Sequence, residues 1–159
     1  MIKLVVRVLA VLVPATLLIA PATEAAGQAS LADVRAATAK FHSVHAAEAA
    51  RYQKFLKCFD NPRTGAGMGQ HYVNFELLNG SVDASHPQAM VYEIDGDRLQ
   101  LVAVEYIVPG NLDQPSLFGH PFFWVDGLNV WALHAWLWRP NPLGIFESYN
   151  PSVKMCPPG

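Results

Sequence analysis

Charge is scarce in this chain: Asp, Glu, Lys and Arg make up 15% of its residues, and the formal net charge is −2. The basic residues are scattered singly, as at Arg35, Lys40, Arg51, Arg63, Arg98, Arg139 and Lys154. A nucleic-acid binder needs clustered positive charge to neutralise phosphates, so nucleic acid is discounted as a partner. The sequence also lacks a GxSxG elbow, a P-loop, a GxGxxG fingerprint and an HExxH helix motif. No reaction is named by motif. Cysteine is limited to Cys58 and Cys156, with no CxxC element of the kind that holds structural zinc or runs redox exchange. No internal repeat and no low-complexity segment is present.

The N-terminus supplies what the rest of the chain lacks, a long uncharged run. Lys3 and Arg7 precede the apolar stretch from Val8 to Ala20, and Thr23 and Ala25 stand at the −3 and −1 positions of a cleavage site. This is the order of a secretory signal peptide over residues 1–25. The run is shorter than the ~20 apolar residues of a membrane span and contains Pro14. The expectation is export to the periplasm or the medium, no stable membrane insertion after cleavage, and one globular domain over residues 26–159. In an exported chain two cysteines predict a disulfide, Cys58–Cys156. A loop of that length contributes on the order of 4–5 kcal/mol when the bond is unstrained.

Hydrophobic periodicity gives the fold class. Ser30 and Asp33 resemble a capping box at the start of an Ala-rich segment. Leu31, Val34, Phe41, Val44 and Tyr52 then recur at helical spacing, which predicts a helix from about Leu31 to about Arg51. Cys58 to Gly69 has loop composition. The period then changes to two. Gln70–Asn74 is a short strand candidate, Ala89–Asp95 and Arg98–Val108 form a hairpin across Asp95-Gly96-Asp97, and Val130–Trp138 is a final strand. Pro109 to Asn129 reads as a long irregular segment, and the Pro-rich tail is held by the disulfide. The expected fold is α+β: an N-terminal helix packed on a mainly antiparallel sheet of about four strands.

A few polar residues sit on otherwise apolar strands. Both faces of Arg98–Val108 are apolar except at Glu105, and a buried carboxylate must be paired, metal-bound or protonated. Arg98 and Arg139 are candidate partners. His134 shares a strand face with Ala132, Trp136 and Trp138, and His71 follows a glycine-rich loop, a place where backbone approaches a ligand. His71, Glu105 and His134 form a candidate two-His-one-carboxylate site for a divalent metal such as zinc, with Trp136 a further candidate binding residue. A satisfied core histidine is the competing reading of each. His42, His45 and Glu48 fall at i, i+3 and i+6 on the helix and read as a solvated face. Glu93 and Glu105, on neighbouring strands, are a candidate acid–base pair. His86 and His120 each precede a proline and are placed in loops.

Phe41-His42, Cys58, Met68-Gly69-Gln70-His71-Tyr72, Val104-Glu105-Tyr106, Leu133-His134-Ala135-Trp136-Leu137-Trp138, Asn141-Pro142, Asn150-Pro151 and Cys156 together resemble a group of uncharacterised small secreted bacterial proteins. The resemblance runs from about Leu31 to Cys156 and departs at Val130, where such proteins carry a His. It implies secretion, a single domain and the cysteine pair, and it brings no activity or cofactor with it. Three functional classes stay open. One is a binding module for a small molecule or metal in a His, Glu and aromatic pocket. The second is a structural or interaction protein of the envelope. The third is a metal-dependent enzyme.

Overall fold

The computed structural model describes residues 29–158; the expected signal peptide lies outside the described residues. The chain begins with α1 (Leu31–Thr38), where Ser30 and Asp33 form the predicted capping box. The single helix expected over 31–51 is broken in two. Thr38 returns its hydroxyl to the Val34 carbonyl (2.7 Å), a bond that bends helices. A 3-10 turn over Ala39–His42 follows. Ser43 is then extended and caps a second, short helix, α2 (Val44–Ala49). Two N-caps in one apolar-periodic stretch set two helices, because each cap side chain competes for the backbone.

The strands are β1 (Gln53–Asn61), β2 (Ala66–Val73), β3 (Ala89–Asp95), β4 (Arg98–Pro109), β5 (Ser116–Leu117), β6 (His120–Pro121), β7 (Phe123–Val125) and β8 (Val130–Ala135). Six of them form one antiparallel sheet in the order β1-β2-β3-β4-β8-β7, and β5 and β6 pair separately. The α+β class and the β3–β4 hairpin match the sequence reading. The sheet is larger than the four strands expected. The two additional strands are β1, which with the start of β2 occupies the segment of loop composition, and β7, which lies in the stretch expected to be irregular. The glycines of β2 are there for close approach rather than for turning. A Cβ at Gly67 would stand 2.5 Å from the Lys154 carbonyl oxygen, and one at Gly69, which has φ +112°, would stand 2.6 Å from that of Tyr92.

One face of the sheet carries the main core, where Tyr92, Tyr106, Met90, Leu133 and Val104 pack with Val34, Phe41 and Tyr52. The buried phenols are satisfied by backbone: Tyr92 donates to Phe41 (2.7 Å) and Tyr52 to Pro87 (2.8 Å). The opposite face has a smaller cluster of Val91, Val102, Ala103, Trp136 and Val153. A bulge decides which residues of β4 face which way. Val91 pairs with Ala103 but Tyr92 pairs with Leu101, so Val102 is an extra residue. Leu99 and Leu101 therefore join the core of Tyr106 instead of the face of Glu105, contrary to strict alternation.

The tail crosses back over this second face. Cys58 and Cys156 are disulfide-bonded, with Cα atoms 5.8 Å apart. Glu93 is buried and accepts from Arg139 Nη2 (2.7 Å) and from the Lys154 backbone N–H (2.9 Å). Asp60 accepts from the Cys156 N–H (3.0 Å). Among the described residues no helix is long and apolar enough to cross a membrane.

Candidate functional site

His71 is on β2, Glu105 on β4 and His134 on β8. Residues directly opposite one another in an antiparallel sheet share a face. Val73, Ala89, Glu105 and His134 form one such row across four strands, and His71 lies two residues along β2 from Val73. Glu105 and His134 are therefore direct cross-strand neighbours. His71 is two strand spacings from β4, roughly 9.5 Å, and must reach over β3 to meet them. The residues of β3 beneath that path are Ala89 and Val91, both fully buried and small enough to leave room.

All three side chains converge. His71 Nε2 lies 3.3 Å from His134 Nε2 and 3.4 Å from Glu105 Oε2, and His134 Nε2 lies 3.5 Å from Glu105 Oε1. Among the described residues this is the one group of three or more potential metal-ligating side chains close enough to share an ion. Aromatic neighbours fix the rings. Phe59 meets His71 edge-on at 5.3 Å, and Trp136 stacks on His134 at 5.6 Å with the planes 8° apart. Trp136 itself donates its indole N–H to the Glu147 carbonyl (2.6 Å) and sits behind His134, outside the cleft wall.

The other sequence candidates go elsewhere. Arg139 engages Glu93, and Arg98 lies beside Asp95, so neither pairs with Glu105. Glu93 lies opposite Gln100 while Glu105 lies opposite Ala89, and with the Glu93 oxygens engaged by Arg139 and by the Lys154 backbone the acid–base pair is not formed. His45 bonds Glu48 on the surface (3.2 Å) while His42 packs against Trp138 at 4.4 Å, so that trio does not converge. His86 bonds Asp83 (2.8 Å), and His120 packs on Phe146 at 4.2 Å.

Burial governs the electrostatics. Desolvation lowers the His71 imidazole to about 4, the Gly69 backbone opposing it only in part. Desolvation and the neighbouring His71 hold His134 well below the usual histidine range. Glu105 is pushed up to about 8 by desolvation. At neutral pH the metal-free cluster is thus two neutral imidazoles and a protonated carboxyl. His71 Nδ1 is buried with no hydrogen bond of normal geometry. Neutral imidazole nitrogens are the form that ligates metal, and a bound cation would reverse the preference of Glu105 for its proton.

The cluster forms the floor of a cleft of about 420 Å³. Its walls come from β1 (Phe55, Phe59), from β7 and the turn after it (Phe123, Leu128), and from Tyr149 of the tail. Phe123 and Leu128 are 45% and 41% exposed, whereas Trp124 lies opposite Trp131 and packs on it at 5.0 Å, on the other face of the sheet. The sequence reading missed this wall because Pro121 and Gly127 make the segment look like loop. The signal available was the apolar run Phe122-Phe123-Trp124-Val125 inside it. No family model matches the chain, and no curated protein or solved structure shows a significant similarity to it.

Proposed function

We propose that this is an exported binding domain that holds one divalent transition-metal ion, zinc foremost, on His71, Glu105 and His134 at the floor of an apolar cleft. One observation carries the reading. The two imidazole Nε2 atoms stand 3.3 Å apart, and each faces its own oxygen of the Glu105 carboxylate, at 3.4 and 3.5 Å. Ligands at Zn–N and Zn–O distances of 2.0–2.1 Å in a tetrahedron stand about 3.3–3.4 Å apart. A good hydrogen bond would be shorter, near 2.9 Å. The side chains are spaced well for ligands around a common centre and are long for hydrogen bonds to one another. A core-filling role would give each group its own well-formed partner, and His71 Nδ1 makes no hydrogen bond of normal geometry.

Three protein ligands leave a coordination position free, the pattern of catalytic and ligand-binding zinc rather than of closed structural sites. Export is part of the same proposal, supported by the N-terminal sequence and by the disulfide. The test is metal content and calorimetric titration of the protein purified from an exported source, stripped, and reloaded with zinc. One zinc per chain is expected. His71→Ala, His134→Ala and Glu105→Gln should each weaken it by more than about 100-fold, beyond the 10–100-fold typical of losing an outer-shell partner. Wild-type protein that takes up no stoichiometric metal overturns the reading.

A further inference from the structure

We infer that the cleft takes a small molecule made of an apolar, aromatic-sized body and a single metal-binding head of no more than one negative charge, and that it discriminates against phosphorylated and other multiply charged ligands. This rests on the metal reading above and adds the chemistry of the occupant. Among the described residues no lysine or arginine lines the cleft. A phosphate or dicarboxylate would meet no cationic side chain there, whereas sites for such ligands normally supply arginine or lysine forks. Away from the ligand triad, the polar side chains of the lining are Asp126, Ser148 and Tyr149. Asp126 accepts the Trp124 indole N–H (2.8 Å) and adds negative charge, which disfavours anions further.

The body of the ligand is set by the walls. Phe55, Phe59, Phe123 and Leu128 surround a space in the lower part of the range for small-molecule pockets. Phe123 and Leu128 stay more than two-fifths exposed, and a bound apolar group would cover them. With His71, Glu105 and His134 on the metal, a fourth donor enters from the cleft side, because the strands and Trp136 back the triad. Head and body are therefore joined in one direction, head to the floor and body to the β7 wall.

The test compares acetohydroxamate with benzohydroxamate on the cobalt-substituted protein, reading the visible bands of the metal, with inorganic phosphate as the charged competitor. Both hydroxamates carry the same head, so their affinity ratio reports the body. Benzohydroxamate should bind at least about tenfold tighter, the scale expected for burying a phenyl group. Phosphate at matched concentration should displace neither. Phe123→Ala should shrink the ratio, and Leu143→Ala, an exposed apolar residue outside this cleft, should leave it unchanged. Zinc content of each variant reports whether its fold is intact. Equal affinities for the two hydroxamates, or displacement by phosphate, overturn the inference while the metal reading stands. Failure of the wild-type protein to bind metal overturns both.

Discussion

At the scale of the residue, the decisive group is Glu105. It is the one carboxylate of the triad, and in the metal-free protein burial makes it an acid with a pKa of about 8. The sign of its effect on stability follows. Between about 4.5 and 8 the folded chain holds a proton on Glu105 that the unfolded chain has lost, so stability falls as pH rises through that window. His71 acts in the other direction. Its imidazole is held down to about 4 from 6.5, and His134 is lowered as well, so the unfolded chain takes up protons below 6.5 that the folded one refuses. Stability falls as pH drops through that range. Where the windows overlap, two imidazoles outweigh one carboxyl. The metal-free protein should therefore be most stable near pH 6.5. Thermal unfolding in the presence of a chelator, measured from pH 4 to 9, checks this. Glu105→Gln should flatten the alkaline limb and keep the acid one, and zinc should also remove the alkaline limb, because the ligating carboxyl is then already ionised. A Glu105→Gln profile identical to the wild type in chelator would show that Glu105 is not protonated in the folded chain.

At the scale of the element, β2 does two jobs: it pairs with strands on both sides, and it delivers His71. Gly69 has φ +112°, and a Cβ there would meet the Tyr92 carbonyl at 2.6 Å. Gly69→Ala must push β2 from β3 two residues before His71. The expected outcome is a loss of roughly 2 kcal/mol or more in denaturant unfolding, with weakened zinc binding. Gly65, in the turn before β2, has φ +68° and nothing within 4 Å of a Cβ, so Gly65→Ala should cost about 1 kcal/mol and spare the metal. Equal effects of the two substitutions would detach the site from the strand geometry. The same strand marks the limit of what the sequence discloses. Glu105 and His134 stand out in the sequence because each is polar on an apolar strand, and that local contrast survives any register. The pairing of β1 with β2 did not show, because glycines used for close approach carry the same letters as glycines used for turning; the wall at β7 did not show, because Pro121 and the turn glycine Gly127 bracket it. The bulge at Val102 was invisible for a related reason: an extra residue in one strand is defined only by its partner. Helix continuity failed at Thr38 and Ser43, where side-chain bonds to backbone overrode a good apolar period.

At the scale of the whole molecule, the tail is tied in three ways: by the disulfide at Cys156, by Glu93 under Arg139 and Lys154, and by Asp60 on the Cys156 N–H. It carries Ser148 and Tyr149 into the cleft wall but contributes no member of the triad. The two functions of the cleft should separate accordingly. In the double variant Cys58→Ser, Cys156→Ser the fold should lose on the order of 4–5 kcal/mol, the cost of reopening a long loop in the unfolded chain. Zinc stoichiometry should remain at one, while the preference for benzohydroxamate over acetohydroxamate should diminish. Loss of metal from a variant that still shows native near-UV dichroism would mean that the tail, and not the sheet, positions the ligands.

The spread of the triad over β2, β4 and β8 also fixes an order in time. His71 and His134 are 63 residues apart in the chain and meet only when β8 has closed on β4 and β3 lies between β2 and β4. A fragment that ends before β8 lacks His134, so the ion proposed for this site would be taken up only after the sheet has closed. A chain exported before folding would then be loaded by whatever ion its destination offers, because a two-imidazole, one-carboxylate site accepts several divalent metals and availability breaks the tie.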